Sequence, residues 1–317
     1  MGEHVNRWPA RLHVVTGKGG TGKTTVAAAL ALGLAAGGKR TLLVEVEGRQ
    51  GIAQLFELQP LPYKELRIAQ VAGGGDVRAL AVDPEEALLE YLDMFYKLGA
   101  AGRALRKIGA IDFATTIAPG LRDVLLTGKV KEATTRSHEG RRVYDAVVLD
   151  APPTGRIGRF LNVTAETARL AKMGPIKTQS EGVASLLRSP ISSVHVVTLL
   201  EEMPVQETLD AIGELTKLHI PVGRIIVNGA RPALLTGGKV TKAQLKRGLG
   251  EAGLPGDTAT VTGLAAEAKA YLTRHDLEES LRTELADAGH PVVELPLLPG
   301  GIDRAALDEM ASILMRA

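Results

Sequence analysis

One segment near the N-terminus constrains the fold of this chain more than any other. It reads Gly-Lys-Gly-Gly-Thr-Gly-Lys-Thr-Thr, occupies residues 17–25 and satisfies the pattern G-x-x-x-x-G-K-[ST]. A β-branched run at 12–16 precedes it, and an Ala/Leu-rich run that ends near residue 36 follows it. A strand, a glycine-rich turn and a helix in this order are the context in which the pattern forms a phosphate-binding loop. We therefore predict that nucleotide phosphates bind here.

Each residue type in this phosphate loop has a physical role. Glycines let backbone N–H groups point at phosphate oxygens, and the helix that begins near Gly22 adds the positive end of its dipole. Lys23 is expected to reach the β- and γ-phosphates, and the Thr24 hydroxyl is expected to bind Mg²⁺. The predicted cofactors are ATP or ADP with Mg²⁺. The predicted nucleotide-binding residues of the loop are Gly17, Lys18, Gly19, Gly20, Thr21, Gly22, Lys23, Thr24 and Thr25.

Short β-branched runs alternate with longer helical patterns along the rest of the chain. Strands are predicted at 12–16, 41–46, 77–82, 143–149, 194–199, 224–227 and 292–295. Repeated strand-then-helix units with nearly continuous apolar strands predict an α/β fold of the P-loop NTPase type, a mostly parallel, doubly wound sheet with helices on both faces. Blocks at about 84–133 and 239–288 lack strand patterns and predict helical insertions in a single domain that spans 1–317. The segments 71–76 and 136–142 are predicted to be loops.

The composition excludes several classes of site and partner. No cysteine is present, which excludes disulfides, thiolate zinc sites, iron–sulfur ligation and a cysteine nucleophile. Lys plus Arg number 38 against 36 Asp plus Glu, and aromatic residues make up 3%, so no nucleic-acid partner is expected. Apolar stretches stay shorter than the roughly 18 residues of a membrane-spanning helix, and residues 1–11 lack an apolar leader. We expect a cytoplasmic protein without a transmembrane segment.

A carboxylate ends the predicted strand at 143–149. Asp150 stands at the carboxyl end of this strand, where a P-loop fold places the group that supports Mg²⁺, usually through water. A strand-end cap is the alternative role for this residue. Ala-Pro-Pro-Thr-Gly-Arg follows at 151–156, and Gly155 would let the backbone approach a γ-phosphate. The segment 150–156 is therefore predicted to be a nucleotide-sensing switch.

The phosphate loop and the segment 150–156 together resemble the arsenical-pump (ArsA) and tail-anchored-protein-targeting (GET) ATPase family. The early lysine of the loop, Lys18, is similar to the extra lysine of the deviant Walker A pattern. Weaker similarity in order and spacing extends over nearly the whole chain, at 42–47, 82–84, 118–123, 227–228 and 295–298. The resemblance implies an ATPase that dimerises around nucleotide, with Lys18 crossing to phosphates bound by the partner subunit.

The resemblance also implies where the base and the partners bind. Asn228 is expected to contact adenine at a strand end, because its side-chain amide can both donate and accept hydrogen bonds. A structural turn residue is the alternative for Asn228, and Pro296 belongs to the segment that flanks the base. The expected partners are a second ATPase subunit, in a homodimer or in a heterodimer with a paralogue, and a protein client or membrane-protein partner that the sequence does not identify.

Two departures from the family pattern affect the expected chemistry. The first switch of the family carries an aspartate that orients the attacking water, and the matching stretch at 45–50 places Glu47 there, followed by Gly48. Because the glutamate side chain is one methylene longer, we expect slow hydrolysis; a surface carboxylate is the alternative for Glu47. Arg156 replaces a histidine of the second switch and is expected to stabilise phosphate charge or to pair with Glu47. Lys18, Lys23, Glu47 and Asp150 are the predicted catalytic residues.

Three functions remain open from the sequence. The first is an ATP-driven dimeric switch of the ArsA/GET type. The second is a regulatory subunit that binds nucleotide with little turnover in a heterodimer. The third is a positioning ATPase of the chromosome-partition or division-site kind (MinD/ParA-like), which requires a DNA- or membrane-binding surface. Arsenite sensing through thiolates and a zinc-bridged dimer are not expected, because both require cysteine.

Overall fold

The computed structural model describes residues 7–96, 119–162, 175–235 and 240–317. The strands in these ranges are β1 Leu12–Gly17, β2 Arg40–Glu45, β3 Leu66–Gln70, β4 Asp76–Ala81, β5 Ser137–His138, β6 Arg141–Arg142, β7 Ala146–Asp150, β8 Ser192–Thr198, β9 Val222–Ala230 and β10 Val292–Pro296. The helices are α1 Lys23–Ala35, α2 Gly51–Leu55, α3 Pro84–Tyr96, α4 Pro119–Thr135, α5 Thr154–Leu161, α6 Pro175–Leu187, α7 Glu202–Lys217, α8 Lys242–Glu251, α9 Thr258–Asp287 and α10 Arg304–Arg316.

Eight of these strands form one sheet in the order β10-β9-β8-β1-β7-β2-β4-β3. Neighbouring strands pair in parallel, except that β3 runs antiparallel to β4 at the edge. Because parallel strands end at the same side of a sheet, the segments that follow β1, β2, β7, β9 and β10 lie along one edge. This edge is where open α/β sheets bind their ligands. The mostly parallel sheet confirms the predicted fold class.

Successive residues of the central strands face opposite sides of the sheet and fill two apolar cores. Leu12 and Val14 of β1 belong to one core, together with Phe160 of α5. Val15 belongs to the other, together with Leu314 of α10. All five side chains are at most 1% exposed. Helices therefore cover both faces of the sheet, which explains why its central strands read as nearly continuous apolar runs.

Helix α1 is buried on all sides in its central part. Every residue from Val26 to Leu32 is at most 2% exposed. A Cβ atom at Gly33 would lie 2.9 Å from the side chain of Met315, so α1 and α10 approach each other closely. An Ala/Leu-rich helix without a polar face is typical of such a position between a sheet and a second helix. The phosphate loop is therefore anchored at both ends, by buried β1 and buried α1.

The structure differs from the predicted strand pattern in two places. Strand β3 was not expected, and it lies at the sheet edge with only Ala69 buried. The predicted loop at 136–142 is wrong, because β5 and β6 pair there as a short antiparallel hairpin. Both hairpin strands are exposed and polar, so they lack the apolar run by which a strand is recognised in a sequence. The predicted loop at 71–76 connects β3 to β4, with Asp76 already in β4.

Helices occupy both blocks that were predicted to lack strands. The first contains α3 and α4, and residues 97–118 between them lie outside the described ranges. The second contains α8 and α9, and residue 239 lies outside. Asp83 caps α3, since its Oδ1 accepts hydrogen bonds from the backbone N–H groups of Glu85 and Glu86, each at 2.9 Å. A single domain over 1–317 stays a prediction. Within the described residues, no helix is both long and apolar enough to cross a membrane.

Candidate nucleotide-binding site

Close neighbours leave no room for a side chain at two positions of the phosphate loop. Gly22 is the N-cap of α1 and has a φ of 86°, in the left-handed region. A Cβ atom there would lie 2.3 Å from Asn228 Nδ2. A Cβ atom at Gly17 would lie 2.2 Å from the carbonyl oxygen of Val197 in β8. Side chains at these positions would therefore collide with neighbouring groups, in addition to the conformational strain at Gly22.

Hydrogen bonds hold the loop in a compact turn. The backbone N–H and the hydroxyl of Thr21 both donate to the carbonyl oxygen of Lys18, at 3.3 and 2.9 Å. Asn228 Nδ2 donates to the carbonyl oxygen of Thr21 at 2.9 Å, which ties the end of β9 to the loop. Gly19 and Gly20 lie exposed at its tip. One donor of the Asn228 amide thus supports the loop, and its contact with adenine stays a prediction.

The beginning of α1 meets the end of β7 at the predicted magnesium position. The Thr24 hydroxyl donates to Asp150 Oδ2 at 2.6 Å. Lys23 is 8% exposed, and Thr25 is half-buried in the same turn. Asp150 is 7% exposed and pairs in register with Val15 of β1 on one side. Thr24 of the motif is therefore in contact with Asp150, although Asp150 comes from a strand far along the chain.

Asp150 is a buried carboxylate whose hydrogen bonding is incomplete. Its Oδ1 atom is buried and has no hydrogen-bond partner. Burial raises the pKa of Asp150 to about 6; the Thr24 hydroxyl and the Lys23 charge act in the opposite direction, and Glu45 and Glu47 add to the increase. An unpaired buried carboxylate oxygen is costly for the free energy of folding. This atom is consequently available to a cation or to an ordered water that binds one.

The donor atoms present fit Mg²⁺. A hydroxyl and one carboxylate are hard oxygen donors, and Mg²⁺ in nucleotide sites typically takes one or two protein groups and completes its shell with waters and phosphates. Within the described ranges, no cluster of three or more His, Asp or Glu side chains offers a metal site built from protein alone. Thr24 and Asp150 would hold the ion. When bound, Mg²⁺ neutralises charge between the β- and γ-phosphate oxygens.

The segment at the end of β2, residues 45–50, lies beside the same turn of α1. Glu45 is 2% exposed, and its two carboxylate oxygens accept hydrogen bonds from the backbone N–H groups of Gly51 and Ile52, at 3.3 and 3.1 Å. A Cβ atom at Gly51 would lie 3.3 Å from Thr24 Cγ2. Glu45 therefore positions this first switch segment beside Thr24. Glu45 was not among the predicted site residues, although a carboxylate at the end of an apolar strand indicates such a position.

Glu47 is held by two arginines. Its carboxylate lies 3.5 Å from Arg156 Nη1 and 3.8 Å from Arg49 Nε. The Glu47 side chain is 15% exposed, so it is not a freely solvated carboxylate. The expected pairing with Arg156 is thus present, and it links the first switch segment to residues 150–156, the second switch segment. The catalytic role of Glu47 stays a prediction.

The second switch segment is fixed to β1 and also contacts α7. The Thr16 hydroxyl donates to the carbonyl oxygen of Pro152 at 2.7 Å. The Thr154 hydroxyl donates to Glu207 Oε2 at 3.0 Å, and the other oxygen of Glu207 lies 2.8 Å from Lys18 Nζ. The sequence reading did not find Glu207, because a lone glutamate on a helix carries no motif. Only the tertiary fold brings it to the loop.

The two residues predicted near the base lie at the ends of neighbouring strands. Asn228 belongs to β9 and Pro296 ends β10, where Pro296 pairs with Ala230 after a shift in register. The backbone N–H of Leu297 donates to the carbonyl oxygen of Ala230 at 2.8 Å. The end of β10 is thereby attached to the strand whose Asn228 contacts the loop. A base site between these strand ends stays a prediction.

Comparison with known proteins is consistent with this arrangement. A family model described as anion-transporting ATPase matches residues 10–189. The chain is 54% identical to ATPase BagA of Mycobacterium tuberculosis H37Rv, over 97% of this chain and 94% of that protein. It is 26% identical to ATPase GET3 of Kluyveromyces lactis, over 68% of this chain and 70% of that protein. It is also 26% identical to ATPase get3 of Schizosaccharomyces japonicus, over 68% of this chain and 72% of that protein.

The range that the family model matches contains the phosphate loop, both switch segments and Asp150. The resemblance inferred from the residues is therefore confirmed at the level of the family. This chain belongs to the anion-transporting, ArsA-type ATPase family.

Proposed function

We propose that this chain is a Mg²⁺-dependent ATPase that works as a slow dimeric switch and couples its nucleotide state to a protein client or membrane-protein partner. One observation carries the proposal: Thr24 contacts Asp150 at 2.6 Å directly behind the phosphate loop, and Asp150 Oδ1 is buried without a partner. A family of proteins named as ATPases supports the choice of reaction.

Each group of site residues has a separate role. The loop N–H groups and Lys23 bind the phosphates, and Thr24 with Asp150 holds Mg²⁺. Glu47 orients the attacking water, at a disadvantage that comes from its length and from its arginine partners. Asn228 and Pro296 are assigned to the base. The protein thus accelerates the reaction by positioning and by charge, which is how phosphoryl transfer is generally catalysed.

The switch needs a second subunit. Lys23 already serves the nucleotide of its own chain, so we assign Lys18 to the phosphates of the other subunit. That subunit is a copy of this chain or a paralogous ATPase with an unaltered first switch. Hydrolysis would then separate or relax the pair and change its affinity for the client.

A second candidate function is supported by the state of Glu47. Arg156 and Arg49 both lie against its carboxylate and compete with a water molecule for its oxygens. A subunit of this kind binds nucleotide and regulates a partner with little turnover of its own.

Nucleotide binding tests the assignment of the loop. Wild type is expected to bind ADP and ATP with Mg²⁺ in a calorimetric titration. Lys23→Ala should weaken binding about 10- to 100-fold, because a charge-assisted contact to phosphate is lost. Lys39→Ala, which removes an exposed lysine next to β2, is the matched control and should bind as wild type does. Wild-type affinity in Lys23→Ala would show that the nucleotide binds elsewhere.

Turnover separates the two candidate functions. Glu47→Asp restores the shorter carboxylate and is expected to raise kcat, by up to about 100-fold if the water is misplaced by about 1 Å. Phosphate release by purified protein measures the rate. Negligible turnover in both forms, with intact nucleotide binding, would favour the regulatory subunit. A high kcat for wild type that does not change when Glu47 is substituted would contradict the slow switch.

A further inference from the structure

One carboxylate on α7 connects the phosphate loop to the second switch segment. Glu207 Oε1 lies 2.8 Å from Lys18 Nζ. Its other oxygen, Oε2, accepts a hydrogen bond from the Thr154 hydroxyl at 3.0 Å. Lys18 precedes Lys23 in the loop, and Thr154 lies in the second switch segment, where it begins α5. Glu207 therefore contacts the loop and the switch at the same time.

The ion pair with Glu207 holds the Lys18 side chain against its own subunit. The hydrogen bond from Lys18 lowers the pKa of Glu207, so this glutamate is ionised at neutral pH. The two side chains are 34% and 32% exposed, which leaves the ion pair breakable. An ammonium that is shared with a carboxylate has part of its charge neutralised. Lys18 must therefore leave Glu207 before it can act with full charge on a phosphate outside its chain.

Thr154 supplies the connection to the nucleotide. Its side chain is buried, and the three-residue segment 151–153 connects it to Asp150 along the chain. A shift of that segment displaces the Thr154 hydroxyl and thereby one of the two anchors of Glu207. A group with two alternative arrangements that a ligand can bias is the physical requirement of a switch.

We propose that Glu207 acts as a latch: it holds the Lys18 side chain against its own subunit and releases it when the second switch segment moves. The released Lys18 is then free for the phosphates of a second copy of this chain. Glu207 is a positioning residue, since it acts through Lys18 and not on the nucleotide. The inference rests on the proposed dimeric ATPase function, which supplies the second set of phosphates.

The first experiment tests whether the latch exists in the chain without added nucleotide. Urea unfolding is measured for wild type, Lys18→Ala, Glu207→Gln and the double variant. The two substitutions are expected to couple, with an interaction equivalent to about a two- to fivefold change in the unfolding equilibrium constant, as for a partly exposed ion pair. Glu202→Gln is the matched control, because Glu202 is exposed in the first turn of the same helix. The effects of Glu202→Gln and Lys18→Ala on the free energy of unfolding should be additive.

The second experiment tests what the latch controls. The mass of the chain is followed by light scattering as ATP and Mg²⁺ are titrated. Glu207→Gln should lower the ATP concentration for half-maximal pairing about two- to fivefold, and Glu202→Gln should not. Thr154→Val removes one anchor of the carboxylate and should shift pairing in the same direction, whereas Thr154→Ser keeps the hydroxyl and should behave as wild type. In a Lys18→Ala background, Glu207→Gln should no longer promote pairing.

The outcomes separate the latch from the proposed function. Coupling in the first experiment together with easier pairing in the second supports the latch. Absence of coupling, or unchanged pairing of Glu207→Gln while wild type still pairs with ATP, overturns the latch and leaves the dimeric ATPase standing. Wild type that never pairs with ATP overturns the homodimeric form of the proposed function, and with it the latch.

Discussion

At Asp150 the requirements of folding and of function oppose each other. The residue is 7% exposed, one of its oxygens has no hydrogen-bond partner, and burial raises its pKa to about 6. A buried carboxylate without a complete set of partners destabilises the folded chain. An amide of the same shape would fit with less penalty. The carboxylate therefore makes physical sense at this position when a cation compensates its charge.

Asp150→Asn tests this reading at the scale of one residue. Without Mg²⁺ the variant should be at least as stable as wild type, and more stable by about 1 kcal/mol or more if the unpaired oxygen carries its usual cost. With Mg²⁺ it should lose the metal-dependent increase in nucleotide affinity. Thermal unfolding and nucleotide titration, each with and without Mg²⁺, measure both effects. Asp276→Asn, on the exposed face of α9, is the control; loss of stability in Asp150→Asn with unchanged Mg²⁺ dependence would refute the assignment.

At the scale of elements, the phosphate loop is held by contacts from β8 and β9 as well as by its own turn. Gly22 combines a left-handed backbone with a close approach to Asn228, whereas Gly19 lies at the exposed tip and a Cβ atom there would meet nothing within 4 Å. Two glycines of one motif thus have different structural duties. Gly22 shapes the junction of loop and helix, and Gly19 leaves the tip open.

Gly22→Ala and Gly19→Ala should therefore differ in stability. Gly22→Ala introduces backbone strain and a collision with the Asn228 amide, and should lower the free energy of unfolding by about 1–3 kcal/mol. Gly19→Ala should stay within about 0.5 kcal/mol of wild type, as a surface substitution without contacts does. Urea unfolding compares them. Equal losses in the two variants would mean that the close approach at Gly22 does not matter.

The elements that the sequence predicted are those whose signals are local. Apolar runs located the central strands, and the lack of strand patterns located the helical block that begins with α3. Strands β3, β5 and β6 were missed because they are largely exposed and carry no apolar run. In the site, Lys23, Thr24 and Asp150 belong to recognisable segments. Glu207 does not, because its contact with Lys18 arises only when α7 packs beside the loop.

At the scale of the whole molecule, a buried histidine pair joins the central strands β1 and β8. His13 Nδ1 lies 3.1 Å from His195 Nε2, and the backbone N–H of Arg224 donates to His195 Nδ1 at 3.1 Å. His195 is therefore neutral with its proton on Nε2, which it donates to His13. Burial lowers the pKa of His13 to about 4 and that of His195 well below its ordinary value, and the His13 and Arg224 charges also lower the latter. The Trp8 ring covers the pair, with Arg224 above it.

This pair predicts the acid sensitivity of the fold. Because the folded-state pKa of His13 lies below 6.5, the unfolded chain takes up protons first as pH falls. The contribution to stability is complete above about pH 6.5 and decreases from there toward about pH 4, with a loss of about 2 kcal/mol for His13 at about pH 5. Urea unfolding at about pH 7.5 and pH 5 measures it. Asp150, whose pKa is raised to about 6, acts in the opposite direction over this range, so the pH dependence is compared between variants. His13→Gln should remove the His13 loss, and His138→Gln, at an exposed histidine, should keep the wild-type dependence. Equal pH dependence in wild type and His13→Gln would contradict the neutral pair.

The proposed assembly of two subunits depends on Lys18. In the single chain Lys18 contacts Glu207, and Lys23 serves the phosphates of the same loop in the proposed mechanism. Substitution of Lys23 and substitution of Lys18 should therefore impair different properties. Lys23→Ala should weaken nucleotide binding about 10- to 100-fold, whereas Lys18→Ala should spare binding and abolish pairing.

The most direct test is the mass of the chain in solution with Mg²⁺ and ATP, measured by light scattering for wild type, Lys18→Ala and the control Lys39→Ala. If Lys18 joins two subunits, ATP should double the mass of wild type and of Lys39→Ala, and Lys18→Ala should stay a monomer while it still binds nucleotide. A wild-type chain that remains monomeric and hydrolyses ATP at the same rate as Lys18→Ala would rule out the dimeric switch.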